Sequence, residues 1–315
     1  MDALWIMLKN VIVFVLLAVP GYLLVKTKIL KGKESAALSK MLTYVGMPFL
    51  VLSSTLNVTF NGEFTKSIIL VGVIGIIFTV ATFFLSALLV KKGDEAKKQG
   101  MMRFCMIFSN NGFLGIPLAK AVFGDAPCVT YLIILNIITN VLMFTLGIYL
   151  ISGDKQAISL KKAFLSPVLI AFILGIVLNL LKVKAYVPEI STYATHFSNI
   201  VTPISMTILG IKMAEVNFPA LFTKWQTYFV SAIKLVVFPV AGVAIMFLLK
   251  LLLNVNADMI LGFFVAFAMP TAGLASTFSD QHDGDTENAV AFTLGSTIFS
   301  VATIPVLYWV LCMLL

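Results

Sequence analysis

Ser109-Asn110-Asn111-Gly112-Phe113-Leu114-Gly115-Ile116-Pro117 interrupts one apolar segment of this chain. Ala268-Met269-Pro270-Thr271-Ala272-Gly273 interrupts another at the matching place in the second half. A helix broken inside hydrocarbon leaves backbone N–H and C=O groups that lipid cannot satisfy, so such breaks persist only where protein or a wet cavity covers them. Paired breaks in the two halves of a repeat are a sequence pointer to a binding site at the membrane midplane.

Hydrocarbon is the right solvent to assume. Of the 315 residues, 60% are hydrophobic and 11% charged, with a mean hydropathy of +1.04. A soluble protein carries about 25% charged residues. Charge-free runs at 67–90, 126–153, 163–181, 190–211, 259–279 and 288–315 approach or exceed the roughly 20 residues that span a bilayer. Shorter runs at 10–25, 41–62, 104–119 and 235–249 complete a set of about ten spans. The expected fold is all-α and integral to the membrane. Met1-Asp2-Ala3-Leu4 has no basic start, so no cleaved signal peptide is expected. Cys105, Cys128 and Cys312 are isolated from one another and predict neither disulfide nor metal site; no cofactor is expected.

The net charge of +8 is distributed as a membrane protein distributes it, and nucleic acid is not an expected partner. Loops after spans one, three, five and seven hold fourteen cations, among them Lys26, Lys31, Lys97, Arg103, Lys155, Lys212 and Lys224. Loops after spans two, four, six and eight hold only Lys66, Lys120, Lys182, Lys184 and Lys250. Positive-inside bias then puts the odd loops in the cytoplasm and both termini outside. The acidic loop from Asp280 to Glu287 is cytoplasmic in this arrangement and adds no support of its own.

An internal repeat runs at an offset near 155. Phe64-Thr65-Lys66 answers Phe222-Thr223-Lys224, Pro48 answers Pro203, Pro117 answers Pro270, and Phe123-Gly124-Asp125 resembles Phe278-Ser279-Asp280. Five crossings is an odd number, so the second half enters from the opposite side and the repeats are inverted. The expected organisation is a first five-span repeat over residues 1–151, a cytoplasmic hinge over 152–162 and an inverted repeat over 163–315.

Both breaks fall near the midplane. From Arg103 at one face, a rise of about 1.5 Å per residue reaches the centre of a roughly 30 Å core near residue 113. From Asp258 at the other face it is reached near residue 268. Gly112 and Gly115 allow close backbone approach, and Pro117 suits the first turn of the resuming half-helix, where its missing N–H costs nothing. That half-helix and the one after Pro270 each offer free N–H groups and a positive dipole end. Two such ends suit an anion, above all a carboxylate. Asn110 and Asn111 add amides; Thr271 and Ser276 add hydroxyls. A single transmembrane proline is more often a kink than a site, and Asn110-Asn111 could merely join helices by hydrogen bonds. The combination favours function, whereas Pro48 and Pro203 read as structural.

Lys234 lies inside the eighth span, where it either neutralises an anion or snorkels to the interface; Lys9 is similar. His196 and His282 fall near helix ends or loops. No span carries Asp or Glu near its centre, so no carboxylate proton relay is visible. Trp5, Trp225 and Trp309 read as interfacial anchors.

These residues resemble the auxin efflux carrier family, which includes plant auxin exporters and bacterial malate-permease-like carriers. The most specific part is Asn110 through Leu118, continuing by Lys120-Ala121 to Gly124; Thr202-Pro203 through Leu209-Gly210, Met269-Pro270 with Phe278, and Ala289-Val290 through Gly295 support it. Asn110 falls where plant members carry an asparagine seven residues before the proline. The resemblance implies ten spans in two inverted repeats, with the fourth and ninth broken and crossing and a carboxylate held beside the crossover. It also implies a homodimer scaffold of the first, second, sixth and seventh spans and an elevator-like moving domain. The long hydrophilic loop of many plant members is absent here, so the chain looks like the compact prokaryotic form of a bacterial cytoplasmic membrane. Malate or malonate then suits better than auxin.

The expected function is secondary transport of small organic anions, with a substrate site drawn from Asn110, Asn111, Gly112, Gly115, Pro117, Pro270, Thr271 and Gly273. A sodium-coupled symporter of the bile-acid-transporter type and a passive channel are the alternatives. Neither a filter motif nor a ring of charges supports the channel. The chain shows no His-Glu-x-x-His or Gly-x-Gly-Asp motif, which argues against an intramembrane enzyme.

Overall fold

The structure, a computed structural model, describes residues 2–57, 62–90, 95–154, 165–215 and 223–315. Helices follow one another as α1 (Asp2–Lys26), α2 (Ser35–Leu56), α3 (Gly62–Leu89), α4 (Ala96–Ile107), α5 (Asn111–Phe123), α6 (Pro127–Ser152), α7 (Pro167–Leu180), α8 (Glu189–Glu215), α9 (Trp225–Lys250), α10 (Ala257–Ala268), α11 (Ala275–Gln281) and α12 (Thr286–Leu314). Among the described residues there is no strand, only one isolated bridge between Ser109 and Thr271. Seven of the helices are long and apolar enough to cross a membrane; α5, α7 and α10 are shorter apolar helices. The hinge expected at 152–162 lies largely outside the described residues. Its first part closes α6, with Gly153 at φ 68°, the left-handed position that ends a helix without a Cβ penalty.

Local chemistry explains several irregular turns. Leu42–Gly46, Asn111–Gly115 and Ile233–Val237 each wind as one wide turn, with the carbonyl of the first residue accepting from the N–H five residues on. Each is followed two residues later by a proline, at Pro48, Pro117 and Pro239. A proline ring inside a helix clashes with the carbonyl four residues before it and withholds an N–H. Widening the preceding turn relieves that clash, and single wide turns inside helices recur at functional sites. Pro48 thus shapes α2, as its sequence context suggests; no wide turn precedes Pro203 in α8. A fourth wide turn, Met143–Gly147, has no following proline.

Small residues set the helix packing. Gly21 of α1 lies against α8 so closely that a Cβ there would sit 2.1 Å from the Thr207 carbonyl oxygen. Gly210 repays the contact, its Cβ position being 1.8 Å from the Ala18 carbonyl oxygen. Close backbone approach through small residues is how helices associate where burial from water contributes nothing. Asn179 of α7 donates to the Thr55 and Leu56 carbonyls at 2.9 and 3.2 Å, covering two orphan acceptors at the end of α2.

The loops sort by parity. At one end, Lys97 in the first turn of α4 meets Asp283 before α12 at 2.6 Å, and Lys224 before α9 meets Glu287 at 2.6 Å. Gly32, after α1, abuts the Glu215 side chain that closes α8. At the opposite end, Lys184 after α7 donates to Asn57 after α2 at 2.6 Å. The acidic loop therefore sits among the lysines of the odd loops. Such exposed pairs contribute only about 0–1 kcal/mol, but they report which loops share an end.

Candidate functional site

Two interrupted helices meet back to back. The chain leaves α4 in an extended conformation at Phe108 (φ −90°, ψ 127°) and leaves α10 likewise at Met269 (φ −66°, ψ 149°). The Asn110 N–H donates to the Pro270 carbonyl at 2.8 Å, and the Ala272 N–H donates to the Phe108 carbonyl at 2.9 Å. Each break thus supplies the partners the other lacks, which hydrocarbon could not.

The last carbonyls of α4 find equally specific donors. The Thr271 hydroxyl donates to the Cys105 carbonyl at 2.9 Å, and the Lys234 ammonium donates to the Ile107 carbonyl at 3.3 Å and to the Ser109 hydroxyl. The Thr271 N–H donates to the Ser296 hydroxyl at 3.1 Å, tying the second break to α12. Lys234 is 1% exposed. It turns inward rather than snorkelling. Lys9, its apparent counterpart in the sequence, is exposed.

Beside this junction lies a cavity of about 480 Å³, within the roughly 300–1,000 Å³ range of small-molecule sites. The first break lends Ser109, Asn110, Gly112 and Phe113, and the second Ala272, Gly273 and Leu274. Across from them stand Thr43, Tyr44 and Met47 of α2, Asn136, Asn140, Met143 and Phe144 of α6, and Leu165 to Val168 at the start of α7. Among its described lining residues none is charged. The polar groups are amides and hydroxyls, and Ser166 caps the N-terminus of α7 by accepting from the Leu169 N–H at 3.3 Å.

Of the site residues read from sequence, Asn110, Gly112 and Gly273 line this cavity. A Cβ on Gly273 would lie 3.5 Å from the Asn110 amide nitrogen, so the two breaks close one wall together. Asn111, Gly115, Pro117, Pro270 and Thr271 are buried behind that wall. The side-chain amide of Asn111 has neither a donor nor an acceptor partner among the described residues, a condition that costs about 1–3 kcal/mol per group. The Thr271 hydroxyl is occupied by Cys105, and Ser276 accepts from Lys212 at 3.0 Å; neither lines the cavity. Helical winding resumes at Asn111 and takes α-helical pitch from Ile116, with Pro117 in the first α-helical turn. The orphan N–H groups at the cavity wall are therefore those of Gly112 and Phe113, with that of Asn111 buried behind it.

Sequence reasoning passed over Ser109, Thr43, Asn136 and Asn140. Ser109 opens the interrupting stretch but was given no role in the site. The others are single polar residues in apolar helices, a pattern common to helix-joining contacts. Among the described residues no cluster of His, Cys, Asp or Glu could hold a metal ion.

The family model described as membrane transport protein matches residues 6–160 and 156–308. An uncharacterized transporter of Methanothermobacter thermautotrophicus is 26% identical over 301 residues, covering 94% of each chain. An uncharacterized transporter of Methanocaldococcus jannaschii is 25% identical over 309 residues, covering 96% of this chain and 97% of its own. With two matches that together span nearly the whole sequence, this integral membrane protein belongs to the membrane transport protein family, the auxin efflux carrier family that its broken-helix motif resembles.

Proposed function

We propose that this protein is a secondary transporter of small organic anions, carboxylates of the size of malate or malonate, working by elevator-type alternating access. The observation that carries the reading is the cavity at the junction of the two breaks, with uncharged amides and hydroxyls on its wall and helix N-termini beside it. N-terminal N–H groups and the positive dipole end suit a carboxylate. α1, α2, α7 and α8 form the fixed scaffold and pair two copies of the chain. The outward residues Ile170, Ile173 and Val177 of α7 are exposed and apolar, as a dimer contact in a bilayer requires. The broken pairs α4–α5 and α10–α11 act as the fourth and ninth of ten crossings and travel with α3, α6, α9 and α12. The halves are inverted repeats. The odd-loop end faces the cytoplasm, and the cavity, reaching Leu165 to Val168 at that end, is the inward-facing state in the cell membrane.

Thermal-shift screening of the purified protein against mono- and dicarboxylates tests the substrate class, because a ligand stabilises the state it binds. Stabilisation by one or more carboxylates and none by their amides is expected. No response to any carboxylate would sink the reading, and a response that requires sodium would replace it with a sodium-coupled symporter. No span carries a central acidic residue, so flux of the anion should be electrogenic. Membrane potential is worth about 2.3 kcal/mol per charge per 100 mV, and an inside-negative potential should drive export from proteoliposomes while a pH gradient alone should not.

A further inference from the structure

A charge-free cavity wall poses a question for an anion carrier: what attracts the anion. Among the described residues, Lys234 brings a basic side chain into hydrogen-bonding contact with that wall. Its ammonium bridges the Ile107 carbonyl, at the C-terminus of α4, and the hydroxyl of Ser109, which lines the cavity. No carboxylate of a described residue lies within ion-pair distance of it; two ion pairs of described residues, Lys97 with Asp283 and Lys224 with Glu287, both lie near the odd-loop end. A helix C-terminus carries a partial charge of about −0.5. It therefore offsets only part of the ammonium and leaves net positive charge at the break. A buried charge without full compensation is costly, and an anion in the adjoining cavity would complete the balance.

We propose that Lys234 is a built-in cation of the transport site. Acting through Ser109, it gives the cavity a positive potential that holds a carboxylate with no bound metal cation. The proposal rests on the carboxylate-carrier reading and adds the source of its charge selectivity. Lys234 is a positioning residue, since it reaches the cavity through Ser109. Its length suits this role, because a lysine on α9 spans to the carbonyl end of α4, where a shorter side chain would leave the Ile107 oxygen without a donor.

The potential can be measured without knowing the substrate. Asn140→Cys, on the cavity wall, and Ala37→Cys, exposed on α2, are made separately in protein with Cys105, Cys128 and Cys312 replaced by alanine. Modification rates are compared for an anionic and a cationic methanethiosulfonate of similar size. A cleft lined by one sign of charge concentrates counter-ions by about ten- to a thousandfold. The anionic-to-cationic ratio should therefore be at least about tenfold higher at position 140 than at position 37. Lys234→Gln should remove that excess, and Lys234→Arg should keep it. Equal ratios at the two positions in the otherwise unchanged protein overturn the proposal whatever the variants do. So does an undiminished excess in Lys234→Gln. A purely structural lysine would alter both rates together and leave their ratio alone. Malate stabilisation that requires sodium also overturns it. Should no carboxylate bind while the excess persists, the substrate reading fails and the built-in charge stands.

Discussion

The Asn110 N–H sits 2.8 Å from the Pro270 carbonyl oxygen, and with the Ala272 N–H on the Phe108 carbonyl this hydrogen bond joins the two halves of the chain at their interrupted helices. Asn110 therefore has two separable parts. Its backbone holds the junction, its N–H on Pro270 and its carbonyl accepting from Leu114 and Gly115 at 3.1 Å, while its side chain lines the cavity.

Asn110→Ala should accordingly keep the fold and lose the ligand. A charge-assisted hydrogen bond contributes about 1.5–3 kcal/mol, so carboxylate affinity should fall by about ten- to a hundredfold. Isothermal titration alongside a melting curve separates the effects. An unchanged affinity would assign the amide to the junction alone.

Thr271 predicts the opposite pattern. Its side chain faces away from the cavity and donates to the Cys105 carbonyl at 2.9 Å. Thr271→Val keeps the shape and removes the donor, leaving a buried acceptor at a cost of about 1–3 kcal/mol. The melting temperature should fall, and Thr271→Ser should restore it. A stable Thr271→Val would show that water or another donor reaches that carbonyl.

The seam between α1 and α8 depends on Gly21. Gly21→Val would drive a side chain into the Thr207 carbonyl, whereas Gly62 has nothing within 4 Å of a Cβ. Detergent-solubilised Gly21→Val should melt well below the parent protein or fail to fold; Gly62→Ala should melt within a degree or so, as surface changes cost within about 0.5 kcal/mol. Equal melting of the two would mean that the helices part more easily than their contact suggests.

Loop parity gives a labelling experiment. Single cysteines at Lys97 and Asp283, which pair with one another, should react from the same side of the membrane, and cysteines at Asn57 and Lys184 from the other. With an impermeant thiol reagent added outside, the second pair alone should label. Labelling of Lys97→Cys from outside would reverse the proposed sidedness, and labelling of Lys97→Cys and Asp283→Cys from different sides would refute the packing.

Hydrocarbon is a demanding solvent, and that is why so much was legible in the chain itself. Apolar runs had to be helices, since no other open structure satisfies its backbone in lipid, and each such run contains helix over most of its length. The breaks at Asn110 and Pro270 were visible because asparagine, glycine and proline cluster in an otherwise apolar run at matching places in both halves. The lysine pattern grouped the loops as their contacts do, because charge bias follows insertion rather than packing. Tertiary structure decided what local sequence could not. Lys234 could snorkel or turn inward, and only the proximity of Ile107 and Ser109, more than a hundred residues earlier, settled the direction. Thr271 and Ser276 were equally plausible as site hydroxyls until the Cys105 carbonyl and Lys212 claimed them. Thr43, Asn136 and Asn140 became cavity residues only because α2 and α6 are carried to the junction. A side chain's length and polarity are properties of sequence, but the partner that satisfies it comes from contacts between distant helices.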